Sequence, residues 1–315
     1  MEIVKGIDSN ISGAKVAATI GVFDGVHLGH ADIIKALKFQ AVKRGLDMAV
    51  ITFMSHPRIF FNRDSELRMI MSVKDRAQKL SELGVDYTIL LEFNRELAQL
   101  SAKEFMQLMY KQYNVRALMI GFNHRFGGNR SDGFDDYVRY GTEIGIEVIR
   151  SDEFKLESDS VSSSEIRKLI LSGEMELAAE YMGHNFMLDG VVVKGYQRGR
   201  KIGFPTANIQ VNGEYQLIPK CGVYAAIVQL SDGGIHGGML NIGTRPTFED
   251  DNALSIEINI FDFDRDIYGV ELVVEFVSYI REEKPMNGID ELIKQLNLDK
   301  ECVTKILNER YNETN

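Results

Sequence analysis

The hydrophobic pattern of this sequence changes once, near residues 181–187, and that change limits the folds open to the chain. Before it, apolar strands such as VAATIGVF and MAVITF alternate with amphipathic helices, the first over 28–44. After it, short alternating strands such as GVYAAIVQL and LSIEINIFDF are separated by Gly, Asn and Asp turns. The first half predicts a parallel, doubly wound sheet, and the second a small antiparallel barrel capped by a helix over 289–311.

Composition fits two packed domains. The chain has 315 residues, of which 44% are apolar, and its 36 basic and 46 acidic residues give a net charge of −10. This balance disfavours a general nucleic-acid or anionic-membrane surface. The start MEIVKGIDSN lacks signal-peptide features and no run is long enough for a membrane span, so we expect a cytoplasmic protein. Cys221 and Cys302 are far apart and are interpreted as structural thiols.

The segment TIGVFDGVHLGH, residues 19–30, predicts a nucleotide site at the end of a strand. Gly21 and Gly25 allow a tight turn, and His27 and His30 share one side of the first turn of the next helix. Two imidazoles beside a helix N-terminus can hydrogen-bond a triphosphate. The alternatives are a metal pair, which normally needs a further ligand, or two surface histidines.

Three more clusters of the first half point to the same kind of site. His56 and Arg58 follow the strand before them, where open sheets bind ligands, although a turn histidine with a solvated arginine is an equal reading. Asn123 follows another strand and could bond a base or a ribose. In VSSSEIR, Ser162 and Glu165 fit a capping box, with Arg167 in the first turn, which also describes an anion clamp.

The second half contains a phosphate-binding candidate of its own, KGYQRGRKIGFPTANI. Its glycines and basic side chains form a flexible loop able to wrap polyphosphate. Thr206 and Asn208 face the same way along the next strand and offer oxygen ligands suited to Mg²⁺. Glu257, in the apolar strand LSIEINIF, is the candidate base, unless it is a charge on the solvated face of an edge strand.

These motifs, in this order, resemble the prokaryotic bifunctional riboflavin kinase/FAD synthetase family over nearly the whole chain. GVFDGVHLGH is similar to the H-x-G-H signature of nucleotidyltransferases, and GFPTAN, GVYA, NIGTRPTF and DFDRDIYG are similar to flavokinase motifs. The resemblance implies an α/β plus β fold: a Rossmann-like nucleotidyltransferase domain over 1–183, then a small antiparallel β-barrel flavokinase domain with a C-terminal helix over 184–315. It also implies ATP and Mg²⁺, with riboflavin converted to FMN and FMN to FAD and pyrophosphate.

The same resemblance implies roles for individual residues. His27 and His30 would stabilise the α-phosphate of ATP, and Glu257 would be the base of the kinase. The β and γ phosphates of ATP would be held by Ser163, Ser164 and Arg167. The nucleotide-binding set comprises Gly21, Phe23, Asp24, Gly25, Asn123, Ser163, Ser164, Gly195, Gly199, Arg200, Gly203 and Pro205. The flavin-binding set is His56, Pro57 and Arg281, and the metal ligands are Thr206 and Asn208.

Some positions depart from the family pattern. Ser55 replaces a proline before His56, Asn259 stands where histidine is frequent, and Met286 stands where the family tends to have phenylalanine. Three alternatives therefore stay open: an FMN adenylyltransferase with a silent or regulatory flavin-binding barrel, a nucleotidyltransferase for another phosphate-bearing acceptor, and a non-enzymatic flavin or nucleotide sensor.

Overall fold

A computed structural model gives the fold of the chain in two compact units. The first comprises Met1–Met69 and Val73–Ser162, and the second Ile70–Ser72 and Ser163–Asn315. The residues that the structure describes are 1–11, 13–61, 67–122, 124–128, 131–152, 161–195, 199–213, 215–245 and 253–313.

The first unit contains a parallel sheet with helices in its connections, as the alternating pattern predicts. Its strands are β1 (Glu2–Lys5), β2 (Val16–Ile20), β3 (Asp47–Phe53), β4 (Tyr87–Leu91), β5 (Val115–Ile120) and β6 (Glu147–Arg150). Its helices are α1 (Leu28–Arg44), α2 (Pro57–Phe61), α3 (Val73–Glu82), α4 (Arg95–Gln99), α5 (Ala102–Gln112) and α6 (Phe134–Ile144). Every residue of β2 is buried, as expected for a strand in the middle of a sheet that is covered on both faces.

The strand order places the candidate motifs at one edge of the sheet. The order is β1-β4-β3-β2-β5-β6, so the chain moves outward in one direction from β2 to β4 and in the other from β5 to β6. Ligands of open α/β sheets bind where the order reverses, at the carboxyl ends of the strands. The segments after β2 and β5 meet at this reversal.

The second unit is a closed antiparallel barrel with the order β10-β11-β8-β7-β12-β9. Its strands are β7 (Phe186–Val193), β8 (Ala207–Val211), β9 (Gly222–Leu230), β10 (Ile235–Arg245), β11 (Ala253–Ile260) and β12 (Glu271–Arg281). Its helices are α7 (Ser163–Ser172), α8 (Met175–Met182) and α9 (Ile289–Glu313), with a 3₁₀ turn at Gly199–Ile202. Val303 and Leu307 of α9 are buried against Val223 and Met239, which confirms the predicted helix on the barrel.

Several short elements were not predicted, namely β1, α2, α4 and α8, because four to eight residues carry too little periodicity. Helix α7 begins at Ser163, which leaves Ser162 at the expected cap position. Arg167 is the fifth residue of α7, so the expectation that it lies in the first turn is wrong by one position. Among the described helices, none combines the length and apolar character needed to cross a bilayer.

Candidate functional site

His27 and His30 form a stacked pair at the start of α1. His27 is the N-cap residue, and its Nδ1 accepts a hydrogen bond from the backbone N–H of His30 at 3.4 Å. The ring centroids of His27 and His30 lie 3.6 Å apart with 20° between the planes, and the Phe23 ring lies 4.8 Å from that of His30. A neutral His27 therefore carries its proton on Nε2, which makes Nε2 a donor.

The loop before these histidines has an unusual backbone. Gly25 has φ of 81°, as its predicted turn requires, but Phe23 at 52° and Val26 at 37° also adopt positive φ. Positive φ is uncommon for a phenylalanine and still more so for a β-branched valine, and residues held in such conformations occur most often at functional sites. Phe23 and Val26 are both buried, so packing holds the conformation.

A buried arginine that the sequence reasoning missed lies beneath this loop. Arg76 of α3 is 1% exposed and donates hydrogen bonds to the backbone carbonyls of Val22, at 2.9 Å, and Phe53. Burial lowers the pKa of Arg76 to about 10, while the charge of buried Asp24 opposes that shift. The sequence gives little sign that Arg76 is buried, because a single arginine in an amphipathic helix normally lies on the solvated face.

His30 is held in its neutral form. Burial, and then the neighbouring His27 and Arg76, lower the pKa of His30 well below its ordinary value of 6.5. Its Nδ1 is buried and has no hydrogen-bond partner. Within the part of the chain that the structure describes, no group of three or more His, Cys, Asp or Glu side chains could hold a metal ion. The pair therefore offers a metal fewer ligands than such sites normally use.

A mostly apolar cavity of about 470 Å³ lies at the same edge of the sheet. It is lined by Val22 and Phe53, by the predicted flavin-binding residues His56 and Pro57, and by Phe93. Phe53, Phe61 and Phe93 line one side of it, and the rings of Phe53 and Phe61 lie 5.6 and 5.5 Å from that of Phe93 in edge-to-face contact. The Phe60 ring also contacts that of Phe93, at 5.6 Å. The cavity is of a size and character that suit a planar aromatic ligand.

Two other predicted elements of the nucleotide site are Asn123 and the start of α7. Asn123 lies outside the described residues. Ser163, Ser164 and Arg167 are placed at the start of α7, whose contacts group it with the second unit. Their roles toward a triphosphate stay predictions.

The structure brings together the three predicted kinase residues of the second unit. The Thr206 hydroxyl donates to Glu257 Oε2 at 3.0 Å, and Glu257 on β11 is directly paired with Asn208 on β8. Because β11 has β10 on one side and β8 on the other, Glu257 does not lie on an edge strand, and the edge-charge reading is wrong. A side chain at Gly195 would collide with the Asn208 amide, which explains a glycine there.

Two cavities of the barrel share Thr206. One, of about 300 Å³, is lined by Thr206 and Glu257 together with Phe204, Met286 and Leu296. The other, of about 430 Å³, is lined by Thr206 and by more polar groups: the predicted nucleotide-binding residues Arg200 and Pro205, and also Asp264, Arg265, Asp266 and Tyr268. Gly199 borders the smaller cavity rather than the larger one, and Gly203 has φ of 84°.

Two residues that line the smaller cavity, Arg281 and Asn259, make hydrogen bonds to other parts of the barrel unit. Arg281, predicted to bind flavin, lines it, but its guanidinium is engaged with Asp299 of α9, with Nε 2.9 Å from Oδ1 and one terminal nitrogen 2.6 Å from Oδ2. Asn259 donates to the carbonyl of Pro205 at 2.7 Å and so ties β11 to the loop that enters β8.

Two family models match successive parts of the chain. The family model described as FAD synthetase matches residues 10–165, and the one described as riboflavin kinase matches 182–307. A crystal structure described as a macrolide-efflux protein from Streptococcus pneumoniae superposes with a TM-score of 0.86 at 29% identity, covering 96% of this chain and 99% of that one.

Curated relatives match over most of their length. The bifunctional riboflavin kinase/FMN adenylyltransferase of Listeria monocytogenes is 39% identical over 90% of this chain and 89% of its own. The enzymes with the same description from Bacillus subtilis and Escherichia coli are 36% and 33% identical, covering 91% and 95% of this chain and 91% and 96% of theirs. The chain therefore belongs to the bifunctional riboflavin kinase/FMN adenylyltransferase family.

Proposed function

We propose that each of the two units carries out one step in the synthesis of FAD from riboflavin, with the sites described above. The chain phosphorylates riboflavin to FMN with ATP, and adenylylates FMN to FAD with release of pyrophosphate. The observation that carries the assignment of the kinase step is the Thr206–Glu257 hydrogen bond, because it lies where an apolar and a polar cavity meet.

In the first unit, a phosphate oxygen of FMN attacks the α-phosphorus of ATP, and the bond to the β-phosphate breaks. His27 and His30 donate hydrogen bonds to the oxygens of the α-phosphate, where negative charge develops. A neutral His30 suits this role because a neutral imidazole still carries one N–H that can donate a hydrogen bond. The flavin ring occupies the apolar cavity beside His56 and Pro57.

In the second unit, Glu257 takes the proton of the primary ribityl hydroxyl, and that oxygen attacks the γ-phosphorus of ATP while ADP leaves. Riboflavin occupies the smaller, more apolar cavity that Glu257 borders, and ATP occupies the larger one beside Arg200 and Pro205. Thr206 lies on both cavities, which is where the transferred phosphoryl group must pass. Both steps depend mainly on positioning and on neutralising charge.

The residues of the second site fit Mg²⁺. The hydroxyl of Thr206, the amide oxygen of Asn208 and the adjacent Glu257 carboxylate are hard oxygen ligands in direct contact or strand pairing. Thr206 and Asn208 would hold the ion, which supplies positive charge to the phosphates.

The alternative of a silent barrel has less support. The riboflavin kinase model matches residues 182–307, and Thr206, Asn208 and Glu257 are all in place. A nucleotidyltransferase for another acceptor, or a non-enzymatic sensor, leaves these barrel residues unexplained. The cytoplasmic location stays a prediction.

The experiment that tests the proposal incubates the pure protein with riboflavin and Mg-ATP and separates riboflavin, FMN and FAD by chromatography. We expect FMN and FAD to accumulate in turn. Finding FAD only when FMN is supplied would refute the assignment of a working kinase to the barrel.

A further inference from the structure

Arg76 joins two strands at the point where their pairing ends. The last paired residues of β2 and β3 are Ile20 and Ile51, and one more backbone hydrogen bond follows, from Gly21 N–H to the Ile51 carbonyl. Beyond it, the Arg76 guanidinium donates to the carbonyl of Val22, in the loop that follows β2, and to that of Phe53, the last residue of β3. It therefore replaces the missing ladder bonds.

The two carbonyls that accept from Arg76 belong to segments that lead to different parts of the proposed site. Val22 is followed at once by the strained loop that ends in His27, and Phe53 is followed by the segment that carries His56 and Pro57. Val22 and Phe53 themselves line the apolar cavity. One guanidinium thus sets the distance between the histidine loop and the cavity wall.

Two side-chain hydrogen bonds fix the position of the Val22 carbonyl. Its carbonyl accepts from Arg76 and also from the Thr52 hydroxyl at 2.8 Å, so both lone pairs of the oxygen are used. A buried cation is costly unless compensated, and the charge of Asp24, in the same loop, compensates Arg76. Packing alone would be better served by an apolar side chain.

We infer that Arg76 is a positioning residue for adenylyl transfer, which holds His27 and His30 at a fixed distance from the bound flavin phosphate. The inference rests on the proposed function of the two histidines. Arg76 itself need not touch either substrate. The planar guanidinium donates to both carbonyls at once, and a lysine ammonium cannot reproduce this geometry. A lysine at position 76 would therefore keep the charge but not the positioning.

The test compares FAD formation from supplied FMN with FMN formation from riboflavin in the same preparation. We expect Arg76→Lys to lower kcat for FAD formation about tenfold to a hundredfold, since misplacing reacting groups by about 1 Å has effects of that order. The KM for FMN should change less, because the apolar wall remains. The kinase rate, which depends on the other unit, should stay within about twofold and reports that the protein is folded.

A matched control is Arg116→Lys. Arg116 also donates to two backbone carbonyls of the first unit, those of Tyr110 and Val115, but at the amino end of β5. It should leave FAD formation unchanged. A kcat for Arg76→Lys within about twofold of the original, or an equal loss in Arg116→Lys, contradicts the inference.

Coupling to the histidines separates positioning from general damage. In a His30→Ala background, Arg76→Lys should cause little further loss, whereas full additivity of the two effects overturns the inference. If His30→Ala itself leaves FAD formation intact, the proposed function and the inference both fail.

If Arg76→Lys also lowers the kinase rate, Thr52→Val decides, because it removes the second hydrogen bond to the Val22 carbonyl without a change of charge. In Thr52→Val, the rate of FAD formation must then fall while the kinase rate stays the same. An unchanged rate of FAD formation contradicts the inference.

Discussion

The hydroxyl of Thr206 donates to the Glu257 carboxylate over 3.0 Å, although the two residues are 51 positions apart in the chain. The contact arises because Thr206 directly precedes β8, and β8 pairs with β11 through Asn208 and Glu257. A threonine, an asparagine and a glutamate thereby share one end of a strand pair. In the proposed kinase reaction, these three side chains would supply the oxygen ligands and the base for one phosphoryl transfer.

Glu257→Gln should abolish most FMN formation. The substitution keeps the size and a hydrogen-bonding end but removes the basic charge, and general-base catalysis is typically worth about a hundredfold to ten-thousandfold. FAD formation from supplied FMN should barely change. Both rates are measured on protein that circular dichroism shows to be folded. The control is Glu271→Gln on the exposed side of β12, which should alter neither rate. Unchanged FMN production in Glu257→Gln would remove Glu257 as the base.

His30→Ala should give the opposite pattern, with loss of FAD formation and intact FMN formation. Removing one preorganised donor from a site of developing charge typically lowers the rate by about a hundredfold to a thousandfold. The measurement is the rate of FAD formation from FMN and ATP, with the kinase rate as the internal standard. Near-normal FAD synthesis would exclude His30 from the transition state.

The buried His30 should make stability depend on pH. Its folded-state pKa lies well below 6.5, near which the unfolded chain takes up the proton. Below about pH 6.5 the unfolded state therefore binds more protons, and the free energy of unfolding must decrease as the pH falls toward the folded-state pKa. Urea unfolding between about pH 7.5 and 5.5 measures the slope. His30→Gln should flatten it, and an unchanged slope would mean that folding does not lower the pKa of His30.

The Arg281–Asp299 pair should contribute to the stability of the barrel. Asp299 is 3% exposed and also accepts from Gln295 at 2.8 Å, so its removal leaves Arg281 without its buried partner. Removing one partner of a fully buried pair typically costs about 3 to 5 kcal/mol, and the cost here should be smaller because the Arg281 side chain is 22% exposed. Asp299→Ala should therefore lower the urea midpoint of the second unit, whereas Glu282→Ala, which breaks the exposed pair with Lys220, should change it little. Equal midpoints for the two variants would show that the Arg281–Asp299 pair adds nothing.

The fold was largely predictable from the sequence, since its elements are long and strongly patterned. The predicted helix 28–44 coincides with Leu28–Arg44, and the strand YTILL with Tyr87–Leu91. Each pattern is local, because burial on one side of an element repeats at the period of that element. The short α2, whose Phe61 lines the apolar cavity, has too few residues to show such a repeat.

The residue types of the candidate sites could also be read from the sequence, because histidine pairs at a helix start and oxygen ligands along a strand are local arrangements. Their environments could not. Arg76 reaches the carbonyls of Val22 and Phe53 only because α3 packs at the end of the sheet, and Arg281 is engaged by Asp299 only because α9 folds onto the barrel. By itself, then, the sequence determined the order of the elements and the chemistry available. Only the tertiary structure decided which groups are buried, charged and within bonding distance, because those properties depend on neighbours far away in the chain.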